Sequence, residues 1–183
     1  MILYINACVR EDSRTAKIAN AYLSKQTDSI TELYLPTLNL KPLDNKTLKK
    51  RMAAIANQDY SDEMFDLSKQ FANADKIVIA APYWDYSFPA ILKVYFENIY
   101  VTGIVSRYDG QGRPHGLCRA SELVYITTAG GYYNRKYSFD LVESLASDCF
   151  GIKKVKLIKA EKLDIDGENP DQIIKDIIKE IEG

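Results

Sequence analysis

The chain alternates strand-like and helix-like segments from one end to the other, and this alternation restricts its possible folds more than any other property. Ile2 to Asn6 is a short β-branched and aromatic run. Ala16, Ala19, Tyr22 and Leu23 then recur at helical spacing, and Ile30 to Leu35 reads as a second strand ended by Pro36. A polar segment after Pro42 carries a helical stretch through Ala53 to Phe71, with a break expected near Asn57 to Tyr60. Ile77 to Ala81 is a continuous apolar run, as a strand buried on both faces requires. Pro89 suits the first position of a helix whose inner face is Ile91, Val94, Tyr95 and Ile99. Leu123 to Thr127 is a fourth strand, and Val142, Leu145, Ala146 and Cys149 mark the helix after it. Val155 to Ile158 is the fifth, and Asn169-Pro170 opens a last helix with Ile173, Ile174, Ile177, Ile178 and Ile181 on its buried side. Strands alternating with helices in this way pair in parallel through right-handed crossovers.

A length of 183 residues fits one domain, 1–183. Gly103 to Leu117, rich in Gly and polar residues, is too long for a simple connection and is expected to form a lid. No run of about 18 apolar residues occurs, so no membrane span is expected. Met1 to Arg10 lacks the basic flank and cleavage site of a signal peptide. Cys8, Cys118 and Cys149 show no CxxC spacing. They read as unpaired thiols in a reducing cytoplasm rather than as metal ligands. The net charge of −1, with both signs interspersed, argues against a nucleic-acid surface. With 13 tyrosines and only His115 for imidazole chemistry, the chain is equipped for a site of flat rings, not for one built from several histidines.

Ligands on open parallel sheets bind beyond the carboxyl ends of the strands, near the switch in strand order. Three loops fall there. The first, Ala7 to Thr15, leaves a strand and enters a helix; its amides, Ser13, Thr15, Arg10 and Arg14 suit an anion, whereas Asp12 or Ser13 as a plain cap explains it equally well. It matches neither a GxGxxG nor a P-loop pattern. The second, Ala80 to Pro89, holds four aromatic residues between two prolines, either as core packing or as a stiff wall for a planar ligand. The third, Thr127 to Tyr133, carries Gly130-Gly131, which is either a tight turn or a place of close backbone approach to a ligand. The acidic residues Asp164, Asp166 and Glu168 read as a solvated turn, and His115 as a solvated loop residue.

These segments resemble those of the flavodoxin-like NAD(P)H:quinone oxidoreductases and FMN-dependent NADH azoreductases, over nearly the whole chain. Ala81-Pro82-Tyr83-Trp84-Asp85-Tyr86-Ser87-Phe88-Pro89, followed by Leu92-Lys93-Val94-Tyr95-Phe96-Glu97, is similar to that family's A-P-x-Y/W-N-x-x-x-P segment and L-K-x-x-x-D/E helix. Ile126 to Gly131 resembles its I-T/S-S/T-x-G-G stretch, and Arg10 to Thr15 its R-x-x-S-x-S/T phosphate loop. Asp85 stands where many azoreductases have Asn, and Val105-Ser106 precede Arg107-Tyr108 where a Phe often occurs.

The resemblance implies a three-layer α/β sandwich, with a five-stranded parallel sheet of order 2-1-3-4-5 and helices on both faces. It implies FMN as cofactor, NADH or NADPH as donor, and quinones, azo or nitroaromatic compounds as acceptors. By the same resemblance Arg10, Ser13 and Thr15 hold the FMN phosphate, Pro82, Tyr83, Trp84 and Asp85 border the flavin ring, and Thr128, Gly130 and Gly131 lie along another edge. Tyr86, Tyr108 and Tyr132 belong to the substrate pocket, no side chain is catalytic, and the working unit is a homodimer. Two rival readings stand beside this one. They are a flavodoxin-type FMN electron carrier without a substrate site, which the weak net charge disfavours, and an interaction protein without cofactor.

Overall fold

The computed structural model describes residues 1–183. Five parallel strands, β1 (Ile2–Asn6), β2 (Ile30–Tyr34), β3 (Lys76–Ala80), β6 (Glu122–Thr128) and β7 (Lys154–Ala160), form one sheet in the order β2-β1-β3-β6-β7. Counting the parallel strands alone, this is the expected order. The remaining two strands, β4 (Ser106–Tyr108) and β5 (Pro114–Gly116), form a separate antiparallel hairpin. Residues 103–117 therefore hold a hairpin rather than an irregular loop.

Successive strand residues point to opposite faces, and the sheet divides its apolar side chains accordingly. Ile2, Tyr4, Val78, Val124 and Ile126 meet α1 (Arg14–Ser24) and α6 (Pro170–Glu182), where Ile18, Ala19 and Ile174 are buried. Leu3, Ile5, Ile77, Ile79 and Tyr125 meet α3 (Asp66–Asn73), α4 (Ala90–Ile99) and α5 (Phe139–Ser144) through Phe71, Leu92, Tyr95 and Phe139. Covered on both faces, β1, β3 and β6 can be apolar nearly throughout. On α6 only Ile174 is fully buried; the other four isoleucines pack at the margin of the core.

The helical stretch after Pro42 divides into α2 (Asn45–Ala56), a short 3-10 turn at Glu63–Phe65, and α3. Arg51 of α2 is buried and donates to the carbonyls of Glu97 and Tyr100, which seats α2 against the end of α4. Pro89 stands one place before α4 as its N-cap, not as its first residue. Beyond α5 the chain continues as a wide π turn, Leu145–Phe150, stopped by Gly151 at φ +82°. The hairpin rests on this stop: a Cβ on Gly116 would fall 2.0 Å from the Gly151 nitrogen and 2.2 Å from the Phe150 oxygen. No helix is long and apolar enough to cross a membrane.

Candidate functional site

The sheet's hydrogen bonding continues past the strand ends. Ala7 N–H donates to the Ala80 carbonyl (2.8 Å), Ala81 to Ile126 (3.0 Å), Tyr83 to Thr128 (2.9 Å) and Ala129 to Ala160 (2.9 Å). The segment after β7 is joined in the same way, with Leu163 N–H to Ala129 (3.2 Å) and Asp164 N–H to Gly130 (2.8 Å). Four loops thus stand together above the crevice where strand order reverses between β1 and β3.

A cleft opens among them, and each of the three expected loops lines it. Arg10, Ser13 and Thr15 come from the first, Pro82, Tyr83 and Trp84 from the second, and Thr128 and Gly130 from the third. Asp85 and Gly131 lie outside the lining, as do Tyr86, Tyr108 and Tyr132, which are exposed. Tyr108 sits in the hairpin with its hydroxyl 3.1 Å from that of Tyr100, and none of residues 103–117 lines the cleft.

Ser13 is the N-cap of α1; its Oγ accepts the Ala16 N–H at 3.2 Å. Capping uses a lone pair and leaves the hydroxyl proton free to be donated, so the cap and an anion ligand are compatible. The amides of Arg14 and Thr15 have no partner in the protein. Unpaired amides at the positive end of an eleven-residue helix favour an anion. Thr15 is fully buried and shares a 2.7 Å hydrogen bond with the Thr128 hydroxyl. Neither arginine is unpaired. Arg10 donates twice to Asp12, both at 3.1 Å, which holds that carboxyl below the usual carboxylate range. Arg14 donates to Asp164 at 2.8 Å.

The second loop is shaped by a tight turn. Trp84 and Ser87 exchange two backbone hydrogen bonds of 2.8 Å, and the residues between them, Asp85 and Tyr86, have φ of +48° and +66°. Positive φ at both central positions is the type I′ geometry, which favours Asn, Asp and Gly. Asp85 therefore fits by its backbone preference; its side chain makes no hydrogen bond. Tyr86 is a bulky residue in the left-handed region, a strain of roughly 1–3 kcal/mol. The turn is held by Ser87 Oγ donating to the Tyr137 carbonyl (2.8 Å) and by the Tyr86 and Tyr137 rings, 6.3 Å apart. Behind it Tyr83 packs edge-on against Tyr133 at 4.9 Å.

In the third loop, a Cβ on Gly130 would come within 2.3 Å of Asp164 Oδ2, so this glycine admits the neighbouring loop. Gly131 faces open space. The same contact brings in two lining residues that the sequence reasoning missed, Leu163 and Asp164. Asp164 was expected in a solvated turn; it stays largely exposed, yet it borders the cleft and pairs with Arg14. The available signal was positional, since this loop follows the fifth strand at the same sheet edge. Glu168 pairs with Lys162 at 3.7 Å, and His115 is exposed, 3.2 Å from Asp109. Cys8 is buried with its thiol directed at the Ala80 carbonyl (3.7 Å), and burial pushes its pKa up.

Donors of the first loop and the apolar and aromatic residues Pro82, Tyr83 and Trp84 of the second line one cleft. A ligand with an anionic tail and a flat ring suits this combination, and FMN is such a ligand. The fold and the cleft together define a doubly wound α/β protein whose cleft opens at the switch point of a parallel sheet.

Comparison with known proteins agrees. The family model described as "Flavodoxin-like fold" matches residues 1–183, and the chain belongs to that family. An FMN-dependent NADH:quinone oxidoreductase of Clostridium beijerinckii is 36% identical over 187 residues, covering 97% of this chain and 93% of that one. Its counterpart in Coprothermobacter proteolyticus is 34% identical, covering 99% and 96%. Among solved structures, an FMN-dependent NADH-azoreductase from Bacillus anthracis in complex with FMN superposes with a TM-score of 0.82 over 99% of this chain and 95% of that one. At 20% identity it bears on the fold alone.

Proposed function

We propose that the chain is an FMN-dependent NAD(P)H oxidoreductase that reduces quinones and, by the same chemistry, azo or nitroaromatic compounds. The observation that carries this reading is the cleft, lined by hydroxyls, unpaired helix-start amides and aromatic residues, in a chain 36% identical to a quinone oxidoreductase. FMN, when bound, supplies the hydride and electron chemistry. The chain's own residues bind, orient and desolvate. Ser13, Thr15 and the Arg14 and Thr15 amides hold the phosphate, with Arg10 beside them. Pro82, Tyr83 and Trp84 form the wall for the ring; Asp85 acts by fixing the turn, and Thr128, Gly130 and Gly131 border the far edge. The Gly130 and Gly131 amides have no partner in the protein, and they are suited to charge that builds up on the ring.

We further propose a homodimer. Trp84, Tyr86, Tyr108 and Tyr132 are large rings left exposed, and a two-fold contact would cover them. Residues 103–117 then act as a lid on the partner's cleft. In support, Asp109 accepts from the Gln111 and Arg113 amides, at 2.8 and 2.9 Å, giving the hairpin tip a fixed shape away from its own cleft. Three free thiols accord with a cytoplasmic enzyme.

The test is NADH and NADPH oxidation by the FMN-loaded protein with benzoquinone and with an azo dye. Quinone-dependent oxidation is the expected result. Bound FMN without it points to an electron carrier, and failure to bind FMN to a protein without cofactor.

A further inference from the structure

Four charged residues line the cleft, Arg10, Asp12, Arg14 and Asp164, and their charges cancel. Each arginine is engaged. Arg10 pairs within its own loop with Asp12, two residues along. Arg14 reaches across to the loop after β7, where Nη1 donates to Asp164 Oδ1 at 2.8 Å and, more weakly, to the Leu163 carbonyl at 3.4 Å. The backbone amide of Asp164 donates to the Gly130 carbonyl, and this places its largely exposed carboxylate beside Arg14. A phosphate dianion at the N-terminus of α1 therefore arrives where Arg14 is already held by a carboxylate.

We propose that Asp164, by holding Arg14, sets how strongly the cleft prefers a phosphorylated flavin over an unphosphorylated one. The inference rests on the reading of the cleft as an FMN site. Phosphate is the stronger partner for a guanidinium because it offers more charge and a bidentate face. Arg14 changes partners when phosphate arrives, and the loss of its pair with Asp164 offsets part of the gain. Riboflavin, which carries no phosphate, is indifferent to both effects. Asp164 is thus a specificity-determining residue that lowers FMN affinity and leaves riboflavin affinity alone.

The experiment is a fluorescence titration of the apo-protein with FMN and with riboflavin, for the natural chain, Asp164→Asn, Arg14→Gln and the double variant. Asp164→Asn keeps the size of the side chain and removes its charge. It should tighten FMN about three- to tenfold at low salt, a gain that fades as ionic strength rises because the pair is largely exposed. Riboflavin should bind as before, and the gain should vanish when Arg14→Gln is also present. Asp164→Ser, a smaller uncharged residue, should reproduce the gain, and circular dichroism establishes that each variant is folded. Unchanged or weaker FMN binding in both Asp164 variants overturns the proposal, as does an equal shift for riboflavin or a gain that survives without Arg14. A natural chain that binds neither flavin overturns the reading of the cleft itself, which separates that failure from this one.

Discussion

The hydroxyl oxygens of Thr15 and Thr128 meet at 2.7 Å in the buried floor of the cleft, tying the first turn of α1 to the last residue of β6. Only one of the two protons is used in that bond, so the pair keeps a donor in reserve while it holds two loops of the cleft together. Changing Ser13 and Thr15 together to Ala removes two hydroxyls from the phosphate end. Hydrogen bonds to charged groups contribute about 1.5–3 kcal/mol each, so FMN affinity should fall at least tenfold in a flavin titration. The Thr128 hydroxyl also loses its partner, and urea unfolding should show a loss of about 1–3 kcal/mol. Unchanged affinity would remove the phosphate assignment.

Initial-rate plots of NADH against quinone should be parallel. The cleft has one aromatic wall, so donor and acceptor occupy the same space in turn, as in a ping-pong scheme. Intersecting lines would require two sites.

Light scattering of the FMN-loaded protein should report about twice the chain mass of 20.8 kDa. A fully active monomer, with specific activity unaffected by dilution, would show that the exposed rings are not an interface.

Gly116→Ala should be costly. Its new Cβ would meet backbone atoms of Phe150 and Gly151 at 2.0–2.2 Å, and backbone cannot rotate aside as a side chain can. The hairpin must lift, at about 2–4 kcal/mol of stability in urea unfolding. Gly110→Ala, in open space within the same hairpin, serves as the control and should cost little.

The Cys118 thiol, pushed up to about 12 by burial, should resist iodoacetamide at pH 8 in the folded protein and react once urea is added. The sign of the pH effect follows. Unfolded, the thiol ionises near its ordinary value of about 8.5. Between that pH and 12 the folded state keeps a proton that the unfolded state has released, so stability should fall as pH rises through this window. Cys118→Ala should flatten the decline.

The parallel sheet was legible because β1, β3 and β6 are buried on both faces and so read as unbroken apolar runs. The three cleft loops were legible as the segments following those strands. The hairpin was not: Ser106–Tyr108 and Pro114–Gly116 are three residues each, too short for alternation to show. The turn at Asp85-Tyr86 was hidden because it lacks the glycine that usually marks positive φ, and surrounding contacts impose a strained conformation instead. Asp164 was hidden for a different reason. An isolated carboxylate in a polar segment carries no sign of the loop it will face, and the hydrogen bonds from Lys162, Leu163 and Asp164 to the Ala129–Gly131 loop bring it to the cleft.

The hydrogen bonds that run beyond the strand ends have a consequence for the life of the molecule. Ala7, Ala81, Tyr83, Ala129 and Leu163 are fastened by the same ladder that holds the sheet, so the loops take their positions as the chain folds. Little ordering entropy then remains to be lost when a ligand arrives. A ligand of this cleft accordingly meets a receptor already in shape.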